Sequence, residues 1–165
     1  MNIIAFDIAR VTGVAIMRTD LDEISLGTIE LPGKRGRNKI QHSETFLVFN
    51  NEVVEMLDLV RPGAIAFEDL AINAHSVRYM SGDWIRLYCG LRAILLMQAE
   101  SAKVSWLPIT VQQIKKRATG NGNAKKDEVL EAAKNMWPKY DITDHNEADA
   151  CWCALVARDI LAGAG

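Results

Sequence analysis

The sequence predicts an α/β domain built on five strands, and three observations carry that reading. Three short strand-like runs open the chain with only turn signals between them. From residue 40 onward apolar residues recur at helical spacing, interrupted by two further strand-like runs. No internal repeat, low-complexity tract or linker divides the 165 residues, so one domain over residues 1–165 is the expectation. With 49% hydrophobic and 24% charged residues, such a chain can bury a substantial core beneath a soluble surface.

Residues 2–6, 13–18 and 24–30 read as the first three strands, separated by Thr12-Gly13 and Thr19-Asp20. Connections that short suggest an antiparallel meander. Over residues 40–60, Phe46, Phe49, Val53, Met56, Leu57 and Val60 trace one helical face, until Arg61-Pro62-Gly63 stops the helix. A fourth strand follows and ends on Glu68. Residues 84–99 form the second helix, 103–107 the fifth strand and 110–117 a short helix. Beyond a glycine-containing loop, helices over 126–136 and 147–161 complete a βββαβαβα order with one extra helix.

Several function classes are disfavoured. The N-terminal apolar run is too short and too soon interrupted by Asp7 to be a signal peptide, and residues 91–98 are too short and too charged to span a bilayer. A cytoplasmic protein without membrane association is expected. Cys89, Cys151 and Cys153 form neither a CxxC pair nor a disulfide framework, and their apolar helical contexts predict core positions in a reducing compartment. A net charge of −2 gives no global attraction for a polyanion, so nucleic-acid contact requires local clusters. One lies at Lys34, Arg35, Arg37 and Lys39, in a stretch that reads equally as a solvated loop. The other runs from Lys115, Lys116 and Arg117 through Gly120 and Gly122 to Lys125 and Lys126. Its glycines permit close backbone approach to phosphate and its cations can contact a nucleic-acid backbone, but it lacks the Walker A pattern.

Acidic residues supply the chemistry. Asp7 closes the apolar run Ile3-Ile4-Ala5-Phe6, and Glu68 closes Ala64-Ile65-Ala66-Phe67. Asp144-His145-Asn146-Glu147-Ala148-Asp149 then opens the last helix. Singly, each reads more simply as a turn residue or helix cap. Ionised carboxylates are seldom buried unless paired or bound to metal, and three such sites on two strand ends and one helix start suggest a site for a hard cation. Magnesium and manganese prefer oxygen ligands and can promote hydrolysis of a phosphodiester.

This order of elements and acids resembles the RNase H-like superfamily, and more narrowly the RuvC-type Holliday junction resolvases and their short bacteriophage-borne relatives. The resemblance covers nearly the whole chain and rests on four segments. These are Phe6-Asp7-Ile8-Ala9-Arg10-Val11-Thr12-Gly13, Ala66-Phe67-Glu68, the stretch from Lys115 to Lys126, and Glu147-Ala148-Asp149-Ala150. It implies a mixed five-stranded sheet, three antiparallel strands then two parallel ones, flanked by helices. It also implies that Asp7, Glu68 and Asp149 are catalytic carboxylates holding two Mg2+ or Mn2+ ions. The family's fourth ligand, an Asp or His three residues before the last Asp, is Asn146 here. Asn146 and Glu147 are therefore the alternatives for that position, with Asp144 behind them. Lys126 matches a lysine near the scissile phosphate, and Lys115, Lys116, Arg117, Lys125 and Arg78 are further candidate DNA contacts. Trp84, Tyr88 and Tyr79 can stack on a splayed base, or anchor the core or a dimer interface. The expected activity is metal-dependent cleavage of a four-way DNA junction by a homodimer. The alternatives are a flap or fork debranching nuclease, an RNase H-type nuclease, and a non-catalytic junction-binding protein. An actin-like ATPase requires two such domains, which the length does not allow.

Overall fold

A computed structural model describes residues 1–21, 23–33, 42–72 and 76–163. The basic cluster Lys34, Arg35, Arg37 and Lys39, and the side chains of Ser76 and Tyr79, lie outside what it describes. The strands are β1 (Asn2–Asp7), β2 (Val11–Arg18), β3 (Glu23–Glu30), β4 (Ala64–Asp69) and β5 (Ser105–Thr110). They form one sheet in the order β3-β2-β1-β4-β5, with β1, β2 and β3 antiparallel and β1, β4 and β5 parallel. The helices are α1 (His42–Val60), α2 (Gly82–Ser101), α3 (Val111–Thr119), α4 (Lys126–Met136) and α5 (His145–Leu161), with a 3-10 turn at Ser76–Tyr79.

Strand alternation divides the core in two. Ile4, Phe6, Ile65 and Phe67 face α1 and α2, where they meet Phe49, Val53, Leu91 and Leu95. Ile3, Ala5, Ala15, Ala64 and Ala66 face α5. The alanines leave room for a helix to lie close to the sheet, and α5 answers with Ala150, Cys153, Ala154 and Ala157. Its outer side, including Trp152, is covered by α3 and α4, so the helix is buried nearly all round from Ala148 to Ala157. Burying each large apolar side chain contributes roughly 1.5–3 kcal/mol, which lets such a core carry a few ill-placed charges at one edge. No helix among the described residues is long and apolar enough to cross a membrane.

Four expectations need correction. Thr12 and Gly13 are not a turn but lie within β2, where the buried Thr12 hydroxyl donates to Ala9 O at 2.7 Å and closes the tight link from β1. The fifth strand runs through Pro108 to Thr110 rather than ending at Leu107. β5 is an edge strand, so the missing proline N–H removes no ladder bond from a central position. The last helix starts at His145 rather than Glu147, because Asp144 serves as its N-cap. Cys151 and Cys153 are buried, but Cys89 is exposed. It falls outside the inward face of α2 set by Leu87, Tyr88, Leu91 and Leu95.

Candidate active site

The period of two that sends Phe6 and Phe67 into the α1/α2 core sends the next residues, Asp7 and Glu68, toward α5. Because Phe6 pairs with Phe67 in parallel register, the two carboxylates stand side by side at the carboxyl ends of β1 and β4. That edge is where open α/β sheets place their ligands. Asp149 joins them from the first turns of α5.

Gly13 makes that approach possible. It is the register partner of Asp7 on β2, and a Cβ there would collide with the carbonyl oxygen of Asn146. The Asn146 side chain fastens the same contact, its Nδ2 donating to Val11 O at 2.9 Å. A glycine on the strand and an amide on the helix thus press the start of α5 onto the sheet.

The electrostatics are unbalanced. Burial, then the nearby charges of Glu68 and Asp149, push the Asp7 carboxyl up to about 8, against the pull of Lys126. Burial and Asp149 push Glu68 up to about 7, opposed by Lys126 and Lys115. Asp149 is also raised, chiefly by burial, although Lys126, His145 and Lys115 favour its charged form. Cys153, one turn beyond Asp149, is fully buried beneath the acids, and burial and their charges keep its thiol protonated. Hard oxygen donors line the site and no thiolate competes. Such a donor set suits a divalent cation, whose charge would relieve the repulsion that raises Asp7 and Glu68. Among the described residues, no group of three His, Cys, Asp or Glu side chains is placed so that it could hold a metal ion as it stands. The acids share an electrostatic field without forming a closed cage.

The other sequence candidates separate clearly. Asn146 gives its Nδ2 to Val11 O, a bond that leaves its Oδ1 uninvolved. Glu147 has one carboxylate oxygen buried without a partner, and its charge bears on Cys151 rather than on the three central acids. Asp144 accepts a hydrogen bond from Asn146 N, and its charge reaches both Asp7 and Asp149. Lys126, the first residue of α4, acts on all three acids, and Lys115 on α3 acts on Glu68 and Asp149. Lys116, Lys125 and Arg78 are exposed. Arg117 is drawn away by an ion pair with Asp159 near the far end of α5, Nε to Oδ2 2.7 Å. Tyr88 is buried with its hydroxyl bonded, and its ring is stacked on half-buried Trp84, which favours the core reading of that pair. Sequence reasoning missed the role of Gly13, and it placed Cys153 in the core without setting it beneath the acids. A short turn signal masked the first, and only the three-residue helical face shared with Asp149 and Ala150 could have hinted at the second.

A mixed sheet in this order, flanked by helices and with acids ending β1 and β4 and starting the last helix, has the RNase H-like architecture. No family model matches the chain. Its sequence is 30% identical over 138 residues to the crossover junction endodeoxyribonuclease RuvC of Rickettsia typhi, covering 83% of this chain and 81% of that protein. It is 25% identical over 148 residues to the RuvC of the Wolbachia symbiont of Brugia malayi, covering 87% and 85%. In fold it matches Thermus thermophilus RuvC with a TM-score of 0.73 at 20% identity, over 99% of this chain and 98% of that one. The same enzyme in complex with a Holliday junction substrate gives 0.74 at 18% identity, over 99% and 97%. The chain belongs to the RuvC family of crossover junction endodeoxyribonucleases.

Proposed function

We propose that this chain resolves four-way DNA junctions by hydrolysing one phosphodiester in each of two opposed strands. Asp7, Glu68 and Asp149 hold divalent cations, Mg2+ or Mn2+, two per site. The observation that carries this reading is the crowding of three half-buried carboxylates whose mutual repulsion Lys126 and Lys115 only partly offset. When bound, the ions supply Lewis-acid stabilisation of the attacking and departing oxygens. The protein's own groups orient the reaction. Lys126 and Lys115 present ammonium groups to the scissile phosphate, and Lys116, Lys125 and Arg78 offer exposed charge to the flanking backbone. Arg117, committed to Asp159, contributes least to that surface. For the fourth ligand position the candidates stay Asn146, Glu147 and Asp144: Asn146 keeps its Oδ1, Glu147 has a buried Oε2 without a partner, and Asp144 has given Oδ1 to the helix cap. Two opposed cuts call for two sites related by a two-fold axis, so the working form is a homodimer. The same proposal has the protein at work in the cytoplasm.

The test is to incubate the protein with end-labelled four-way junction, fork, flap, linear duplex and RNA–DNA hybrid in Mg2+ and in Mn2+. Paired nicks at symmetric positions on opposed junction strands, with the other substrates cut far more slowly, are expected. Equal cutting of forks and flaps would favour a debranching nuclease, and binding without cleavage in either metal would favour a non-catalytic junction-binding protein.

A further inference from the structure

The doublet Glu68-Asp69 closes β4, and strand alternation sends its two carboxylates to opposite faces of the sheet. Glu68 turns toward α5 and the other acids. Asp69 turns toward α2, where Arg92 Nε lies 3.1 Å from its Oδ1. Tyr88, one turn before Arg92 on the same helix, brings its hydroxyl to this point. It accepts a hydrogen bond from Leu70 N at 3.0 Å, and its single O–H is shared between Glu68 O at 3.2 Å and Asp69 Oδ1 at 3.4 Å. Leu70 is the first residue beyond the strand, so its N–H needs a partner outside the ladder, and the tyrosine provides it. Arg92 also lies over the ring of fully buried Phe67, 5.4 Å from its centroid. The backbone from the Glu68 carbonyl to Leu70 N is thus held from the face opposite the Glu68 carboxylate. The β5 ladder pairs Glu68 with Ile109 and Asp69 with Thr110, and the tyrosine adds a hold where that ladder ends, against the repulsion between Glu68 and Asp149.

We propose that Tyr88, with Asp69 and Arg92, is a positioning latch that fixes the backbone of Glu68 so that its carboxylate meets Asp7 and Asp149 around a divalent cation. The latch rests on the reading of those three acids as cation ligands. None of its members touches the reacting atoms.

Calorimetric titration of Mn2+ into the DNA-free protein tests it, with wild type, Tyr88→Phe, Asp69→Asn and Glu68→Gln compared and the melting temperature of each recorded. Tyr88→Phe keeps the ring and its stacking on Trp84 and removes only the hydroxyl. It is expected to weaken Mn2+ binding roughly tenfold, the scale seen when groups that orient metal ligands are removed. It should also raise the Mn2+ concentration for half-maximal junction cleavage by a similar factor while the maximal rate is kept. Asp69→Asn should move affinity in the same direction, and it carries the test if Tyr88→Phe does not fold. Glu68→Gln should abolish measurable binding. If Tyr88→Phe and Asp69→Asn lower only the melting temperature and bind Mn2+ like wild type while Glu68→Gln does not bind, the latch is overturned and the ligand reading stands. If Glu68→Gln itself binds like wild type, the ligand reading fails and the latch falls with it.

Discussion

Replacing Asp7 by Asn should reduce junction cleavage on the order of 10³-fold, equivalent to about 4 kcal/mol of barrier, while junction binding is retained. The same substitution should stabilise the metal-free protein at alkaline pH. The folded Asp7 carboxyl titrates at about 8 against 3.8 for the ordinary group, so the native state holds its proton more tightly than the unfolded chain does. Below about pH 4 both states are protonated and Asp7 has little effect on stability. As pH rises from there to about 8 the wild type loses stability, because folding must either keep the proton or bury a charge beside Glu68 and Asp149. Asparagine has no charge to bury. The variant should therefore melt about 5 °C above wild type at pH 8 without divalent ions and at nearly the same temperature near pH 4. Glu68, raised to about 7, leaves a smaller pH slope in the variant. Excess Mg2+ should raise the melting temperature of wild type at pH 8 and that of the variant much less. Thermal melts at both pH values, with and without Mg2+, measure this; a variant that melts below wild type at pH 8 would refute the electrostatic account of the site.

Gly13→Val should lose both stability and activity, although Gly13 carries no reactive group. The branched side chain would be driven into the Asn146 carbonyl and force the start of α5 away from β2. Overpacking of this kind typically costs 1–3 kcal/mol. Moving a ligand by about 1 Å can cost roughly 10²-fold in rate, and Asp149 lies one turn beyond the collision. Gly27→Ala is the matched control. A Cβ at that position on β3 meets nothing within 4 Å, so stability and cleavage should stay close to wild type. Parallel melting and junction-cleavage measurements distinguish the two glycines. Equal behaviour would show that close approach of α5 is not what Gly13 provides.

The contrast between these two positions shows where sequence reading reached its limit. Asp7 and Glu68 were visible because each interrupts an otherwise apolar strand, a local signal that survives without any tertiary information. The helix carrying Asp149 was visible for the same reason, as an acidic start to an apolar run. Its opening was legible in the cluster from Asp144 to Asp149, but the bound at Glu147 fell two residues late, because the start depends on Asp144 closing the cap onto Asn146 N. With the start at His145, Asn146 shares the helical face of Asp149 and Glu147 is turned from it. Arg117 was grouped with its basic neighbours, since its partner Asp159 lies 42 positions away and no local pattern links them. Asp69 and Tyr88 were hidden for the same reason. Their contact is made across the sheet and helix interface, and the strand period that separates Asp69 from Glu68 becomes informative only once the two faces are known. Gly13 is the clearest case. A glycine after threonine reads as a turn, whereas here it has an ordinary strand register and is small because a helix end lies against it.

The central claim is that Asp7, Glu68 and Asp149 together hold the divalent ions used for cleavage. The most direct measurement is an anomalous-difference map from crystals of the wild-type protein grown or soaked in Mn2+. The account predicts manganese peaks bounded by the carboxylates of Asp7, Glu68 and Asp149, with Lys126 facing the same space. Manganese bound elsewhere, or absent from these three residues in a protein that cuts junctions in the same Mn2+ concentration, would contradict it.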